Sequence, residues 1–171
     1  MFTGRYRATV DQKGRVSVPT AFRTLPENED AEWKNAILTS GLDDCLFLYT
    51  TKEWNRLMAA VQERTSALPS LDVMLFQRLF AGSGTKVSID RSYRIVIPQE
   101  LREEAGLAGE CVWVGAIDRC ELWSLEGWDD YRKNNRNMLQ EVWKNLSKGT
   151  SSAESHHDAQ GFEQHNKDQD Q

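Results

Sequence analysis

Asp11-Gln12-Lys13-Gly14-Arg15-Val16-Ser17-Val18-Pro19 returns later in the chain as Asp90-Arg91-Ser92-Tyr93-Arg94-Ile95-Val96-Ile97-Pro98. Each copy is an acid, three residues, an arginine, three strand-forming residues and a proline. Each then runs into a short helical phrase that ends in arginine, Arg23 or Arg102. An acid-to-arginine turn used twice is a poor device for catalysis. It is a good one for a symmetric, basic reading surface.

Around the first copy, residues 4–10 and 16–18 predict two short strands joined by the Asp11–Arg15 turn, where Gly14 supplies backbone freedom. Pro19 opens a short helix from Thr20 to Thr24, Pro26 ends it, and the acidic stretch 27–35 predicts a loop. Strands follow at 36–39 and 45–49 around a Gly41–Asp44 turn. Thr51 is a candidate N-cap for a helix to about Thr65, with Trp54, Leu57, Met58 and Val61 on one face. A second helix, Leu71 to Ala81, turns Leu71, Leu75, Phe76, Leu79 and Phe80 to the core and stops at Gly82-Ser83-Gly84.

The second copy repeats this order. Strands are predicted at 85–89 and 95–97, a short helix from Pro98 to Ala105, strands at 111–115 and 120–123, and a helix from about Leu125 to Leu146. Gly41-Leu42-Asp43-Asp44-Cys45 corresponds to Ala116-Ile117-Asp118-Arg119-Cys120, and Trp54 to Trp128. The chain therefore divides into a first repeat, 1–82, a second, 83–146, sharing one folded unit with it, and a polar tail, 147–171, expected to be disordered. Two copies suit an internal duplication better than an open array, which needs three or more.

The 171 residues suffice for one domain or two small halves sharing a core. With 39% apolar and 27% charged residues the composition is that of a soluble globular protein. No apolar run approaches the ~20 residues of a membrane span. Met1-Phe2-Thr3-Gly4-Arg5 lacks a signal-peptide core, so the expected location is cytoplasmic. Cys45, Cys111 and Cys120 form no CxxC pair and read as packing thiols in a reducing compartment.

A net charge of −5 argues against a nucleic-acid binder, but its distribution does not. Residues 1–23 carry Arg5, Arg7, Lys13, Arg15 and Arg23 against Asp11 alone, a net of +4. Residues 83–102 carry a net of +2, while 24–82 and 103–146 carry −4 each. Salt screens charge over ~8 Å, so a partner at the motifs feels the basic patch more than the distant acidic surface.

No glycine-rich phosphate loop, HExxH or GxSxG motif is present, and His156, His157 and His165 all fall in the predicted tail. They read as solvated residues, not metal ligands. The folded part has no histidine to act as general base, so an enzyme is not expected. Asp11 and Asp90 suit turn organisation, as does Gly14. Arg15 and Arg94 offer a planar fork matching guanine O6 and N7 or a phosphate, with Lys13 and Arg91 beside them. Arg23 and Arg102 would lie near phosphates or serve as ordinary surface arginines. Trp54, Trp123, Trp128, Phe47, Tyr49, Phe76 and Phe80 have apolar neighbours at strand or helix spacing and read as core, not as a base-stacking set.

These residues closely resemble the bacterial MraZ family, within the AbrB-like swapped-hairpin group of transcription factors. The likeness covers about residues 1–146. It takes in Met1-Phe2 with Gly4, both Asp-x-x-x-Arg motifs and their proline continuations, Gly41-Leu42-Asp43, Leu79-Phe80-Ala81-Gly82, and Val114-Gly115-Ala116-Ile117-Asp118-Arg119 with Glu121-Leu122-Trp123. The resemblance implies an α+β fold: a β-barrel core of two interleaved pseudo-repeats, the swapped-hairpin or double-split barrel, with peripheral helices. It implies a ring-shaped homo-oligomer that binds double-stranded DNA in the cytoplasm and nucleoid. It implies a regulator, usually a repressor, acting on short repeated boxes upstream of the division and cell-wall gene cluster that holds its own gene. No cofactor, membrane or small-molecule substrate is implied.

One departure stands out. Many members have glycine before the arginine in both motifs, whereas the second copy here has Tyr93. Tyrosine does not freely adopt positive φ, so the second turn is expected to differ in shape and to contribute less to DNA contact. One bidentate arginine–guanine pair discriminates by about 1–3 kcal/mol, and specific binding exceeds non-specific by about 4–10 kcal/mol. Several subunits on several direct repeats are therefore expected. Two other classes stay open: an AbrB-like antitoxin whose tail folds on a toxin, and an assembly protein using the arginines in subunit salt bridges.

Overall fold

The computed structural model describes residues 1–23, 35–65 and 71–151. The expected 27–35 loop falls outside them except for Asn35, as do residues 152–171 with all three histidines. The strands are β1 (Arg5–Thr9), β2 (Arg15–Ser17), β3 (Ala36–Ser40), β4 (Cys45–Tyr49), β5 (Thr85–Val87), β6 (Arg94–Val96), β7 (Glu110–Gly115) and β8 (Cys120–Ser124). The helices are α1 (Thr20–Arg23), α2 (Thr51–Thr65), α3 (Leu71–Phe76), α4 (Gln99–Glu104), α5 (Leu125–Asn134) and α6 (Arg136–Ser151), with a π-helical turn at Gln77–Ala81. Residues 1–129 form one compact unit, and a second begins at Asp130.

The fold is α+β. Six strands form an antiparallel sheet in the order β1-β7-β8-β4-β3-β5, while β2 and β6 pair only with each other. The strand nearest the N-terminus, β1, thus pairs with β7 from the far end of the chain, and β5 pairs with β3. The six-stranded sheet is open, so the expected β-barrel core is not seen as a closed barrel. The edge strands β1 and β5 do not join, and the β2–β6 ribbon is cut short by Pro19 and Pro98, which lack the N–H to extend a ladder.

Side chains alternate across the sheet. Leu38, Leu46, Leu48, Cys111, Trp113, Cys120 and Leu122 face one side, where they pack with Val16 and Ile95 of the ribbon and with Phe22 and Leu101 of the short helices. Cys45, Phe47, Tyr49, Val112 and Trp123 face the other, under Trp54, Leu57, Met58, Phe76, Phe80 and Trp128. The aromatic set is therefore core, as read from the sequence. Burial pushes the Cys111 thiol up to about 11 and raises Cys45 and Cys120 as well.

Three local readings need correction. The N-cap of α2 is Thr50, whose Oγ1 accepts the Glu53 N–H at 3.2 Å, one residue before the expected Thr51. Leu71, Leu75 and Leu79 are 83%, 57% and 66% exposed. Phe76 and Phe80, four residues apart, stack on each other and face the sheet, so Leu75 and Leu79 stay outside; the π turn closes where the Gly82 N–H reaches back five residues to Gln77 O. The long C-terminal helix is two, divided at Asn135, whose side-chain amide and backbone N–H share Tyr131 O as acceptor. Its second part, α6, continues to Ser151, past the expected start of the tail.

Candidate nucleic-acid interface

Asp11 builds the first turn. Its Oδ1 accepts the N–H groups of Lys13 at 2.9 Å and Arg15 at 3.0 Å. Its Oδ2 accepts Nε and Nη2 of Arg15, both at 2.7 Å. Two backbone bonds close the turn, Asp11 N–H to Arg15 O and Gly14 N–H to Asp11 O, each 2.9 Å. Asp90 repeats this bond for bond. Its Oδ1 accepts Ser92 and Arg94 N–H at 2.8 and 2.9 Å, and its Oδ2 accepts Arg94 Nε and Nη2 at 3.0 and 2.9 Å. The closing bonds are Asp90 N–H to Arg94 O and Tyr93 N–H to Asp90 O, at 2.9 and 2.8 Å.

The expected difference between the turns is absent. Gly14 has φ +72° and Tyr93 φ +58°, the same left-handed conformation. For a residue with a β-carbon this costs about 1–2 kcal/mol. The hydrogen bonds around Asp90 offset part of that cost. The Arg23 guanidinium also lies 3.8 Å over the Tyr93 ring, a contact worth about 0.5–1 kcal/mol at an exposed site.

Each carboxylate is held below its ordinary range. The main cause is the backbone N–H of the motif arginine; slight desolvation opposes it, and the guanidinium bonds add to it. Arginine has five N–H donors. Asp11 engages Nε and one Nη2 hydrogen of Arg15, which leaves three N–H groups outside the pair on an oriented plane. Arg94 stands the same way on Asp90.

The ribbon sets the spacing. Arg15 pairs with Val96, Val16 with Ile95 and Ser17 with Arg94. Reciprocal bonds, Val18 N–H to Tyr93 O at 2.9 Å and Ile97 N–H to Gly14 O at 2.8 Å, clamp each strand end to the opposite turn. Val16 and Ile95 are buried, so Arg15, Ser17, Arg94 and Val96 share the outer face. Trp113 anchors the ribbon to the sheet through Nε1–H to Ser17 O, 2.9 Å. With a rise of about 3.4 Å per residue and a strand spacing of about 5 Å, the two arginine Cα atoms lie about 8–9 Å apart on the diagonal. Lys13 and Arg91 are exposed on the crests of the two turns.

For Arg23 and Arg102 the sequence allows either phosphate contact or an ordinary surface position. Arg23 donates Nε–H to Val18 O at 3.0 Å and Nη2–H to Thr20 Oγ1 at 2.6 Å, with its plane over Tyr93. Arg102 lies over the other turn: a β-carbon on Gly14 would come 2.7 Å from its Nη1. Each arginine covers the fourth residue of the other copy's turn. Their equal spacing from the motif arginines was the available signal.

Arg119 belongs to a separate network. It donates to Glu121 and Asp118 and lies 4.4 Å over Phe47, while Glu121 also accepts the Trp123 Nε1–H. This part of the family-like signature packs the sheet. Among the described residues no cluster of His, Cys, Asp or Glu could hold a metal ion, and no helix is long and apolar enough to cross a membrane.

The family model described as "MraZ protein, putative antitoxin-like" matches the chain over residues 1–73 and again over 79–149. A protein named transcriptional regulator MraZ from Syntrophomonas wolfei is 36% identical over 148 residues, covering 85% of this chain and 96% of its own length. A protein of the same name from Acetivibrio thermocellus is 40% identical over 131 residues, 77% of this chain and 86% of its own. One from a Thermoanaerobacter species is 35% identical over 146 residues, 85% of this chain and 96% of its own.

Proposed function

The chain belongs to the MraZ family, a family of transcriptional regulators and not of enzymes, and we propose that it is a sequence-specific DNA-binding regulator. In this reading it represses the division and cell-wall gene cluster that contains its own gene, by binding short direct repeats upstream as a ring-shaped homo-oligomer associated with the nucleoid. Arg15 and Arg94 read base edges, Lys13 and Arg91 contact phosphates, and Asp11, Gly14 and Asp90 fix the turns.

The observation that carries this reading is the ribbon face. Two arginines, each oriented by its own carboxylate, stand on one exposed surface of a two-stranded ribbon. The major groove, about 12 Å wide, admits such a ribbon, and a diagonal of about 8–9 Å fits inside it. The reading of residues 1–82 and 83–146 as two interleaved AbrB-like repeats is supported by the topology. Exchanging the halves maps β1-β7-β8-β4-β3-β5 onto its own reverse and β2-β6 onto itself. Assembly is supported by the exposed row Leu71, Leu75 and Leu79, which a single chain leaves in water.

Titration of labelled DNA from upstream of its own gene, beside a scrambled duplex of equal length, tests the proposal. The protein should prefer its own upstream DNA, and Arg15→Ala should remove that preference without changing the oligomer. Equal affinity for the two duplexes by the unaltered protein would refute it.

A further inference from the structure

The chain's second turn keeps the geometry of the first although Tyr93 stands where the first has Gly14, and the reason lies on the other repeat. Arg23 ends α1, and two bonds to its own repeat, to Val18 O and Thr20 Oγ1, fix its guanidinium plane. That plane covers the Tyr93 ring at 3.8 Å. The backbone is tied at the same place, since Val18 N–H donates to Tyr93 O. At the opposite end of the ribbon, the place of a side chain on Gly14 is taken by the Arg102 guanidinium. Glycine needs no help to hold φ +72°, whereas tyrosine at φ +58° does.

We propose that Tyr93 and Arg23 form a cross-brace that positions Arg94 for base reading. Tyr93 is a positioning residue in this scheme, and Arg23 is a brace rather than a phosphate contact. This rests on the DNA-binding reading above and deepens it. The ring supplies what the missing glycine would otherwise provide, a turn that stays in the left-handed conformation. The brace matters only while a residue with a side chain occupies position 93.

That condition defines the experiment, a double-variant cycle with Arg23→Ala and Tyr93→Gly, alone and together, in the full-length protein. Titrations use the chain's own upstream DNA and a scrambled duplex at several salt concentrations. Arg23→Ala alone should lower the preference for the upstream DNA over the scrambled duplex by about twofold to fivefold, the size of an exposed cation–π contact. In the Tyr93→Gly background it should have no further effect. Tyr93→Phe, which keeps the ring face, should keep the coupling to Arg23.

If Arg23 instead touches phosphate, its removal weakens binding to both duplexes in both backgrounds and lowers the salt slope by about one. That result overturns the proposal. Amide exchange without DNA supplies a second readout. Arg23→Ala should speed exchange at Tyr93 and Val18 when Tyr93 is present and not when glycine replaces it. Equal exchange in both backgrounds also overturns the brace. Failure of the unaltered protein to prefer its upstream DNA is separate: it removes the DNA reading, while amide exchange still decides the brace.

Discussion

Asp11→Asn separates positioning from charge. Asparagine keeps an oxygen for the Lys13 and Arg15 N–H bonds and is a good turn residue, so the backbone turn should persist. The other carboxylate oxygen, which accepts Nε and Nη2 of Arg15, becomes an amide nitrogen facing two donors, and the guanidinium is released. An arginine side chain carries about 2 kcal/mol of rotamer entropy, which a freed Arg15 must lose on binding. At 1.4 kcal/mol per tenfold, the affinity for specific DNA should fall by up to about 30-fold for each engaged first turn. Removing an acid from a basic patch acts the other way on non-specific binding, which should tighten slightly. The assay is fluorescence anisotropy with the chain's own upstream DNA and a scrambled duplex. Light scattering should confirm the same oligomer, and a thermal melt should show little change, because the pair is part-exposed and screened. Opposite movement of the two affinities is expected. A parallel rise in both would refute the idea that Asp11 orients a reading arginine.

Four further outcomes are expected. Arg119→Leu leaves Glu121, whose side chain is 12% exposed, without its partner, and should destabilise the fold by about 3–5 kcal/mol in a chemical melt. Gly115→Ala puts a β-carbon about 2.5 Å from the Phe2 and Thr3 backbone, held there by two bonds between Phe2 and Ile117. It should cost about 1–3 kcal/mol and lower the melting temperature by about 2–4 °C for each of them. Leu75→Glu with Leu79→Glu should yield a smaller species in light scattering with an unchanged circular dichroism spectrum, since both side chains are exposed in the single chain. Asp11 and Asp90 have lowered folded-state pKa values, so what they contribute is present above the unfolded value, 3.8, and lost as pH falls through the lower folded value. Upstream-DNA affinity should therefore be flat from about pH 8 to 5 and fail only in stronger acid.

Much of this fold can be read in the residues because local chemistry decides it. The acid-x-x-x-arginine turns follow from Asp, Gly and Pro, and the order of strands and helices follows from periodicity. What could not be read comes from long-range geometry. Nothing local says that β1 pairs with β7, or that the ribbon stands apart from an open sheet. Tyr93 misled because φ preference is local, whereas Asp90 and an arginine on another segment fix its actual conformation. Leu71, Leu75 and Leu79 misled for the opposite reason. Their helical spacing is real, but the segment turns Phe76 and Phe80 to the sheet, and the leucines off that face stay outside.

The geometry of one ribbon limits what one chain can read. At about 3.4 Å per base pair along DNA, a diagonal of about 8–9 Å spans two to three base pairs. Two arginine–guanine contacts then supply about 2–6 kcal/mol of discrimination, at or below the middle of the usual specific range of about 4–10 kcal/mol. A single ribbon therefore specifies a short, weak box. Exchange of the two halves relates its arginines, so within a box they approach the groove from opposite directions and favour guanines on opposite strands. In the proposed ring, successive copies are related by rotation in one sense, so the boxes themselves should recur as direct repeats. Under the proposed DNA reading, an inverted pair of guanines inside each short box, with the boxes all in one orientation, is the expected pattern.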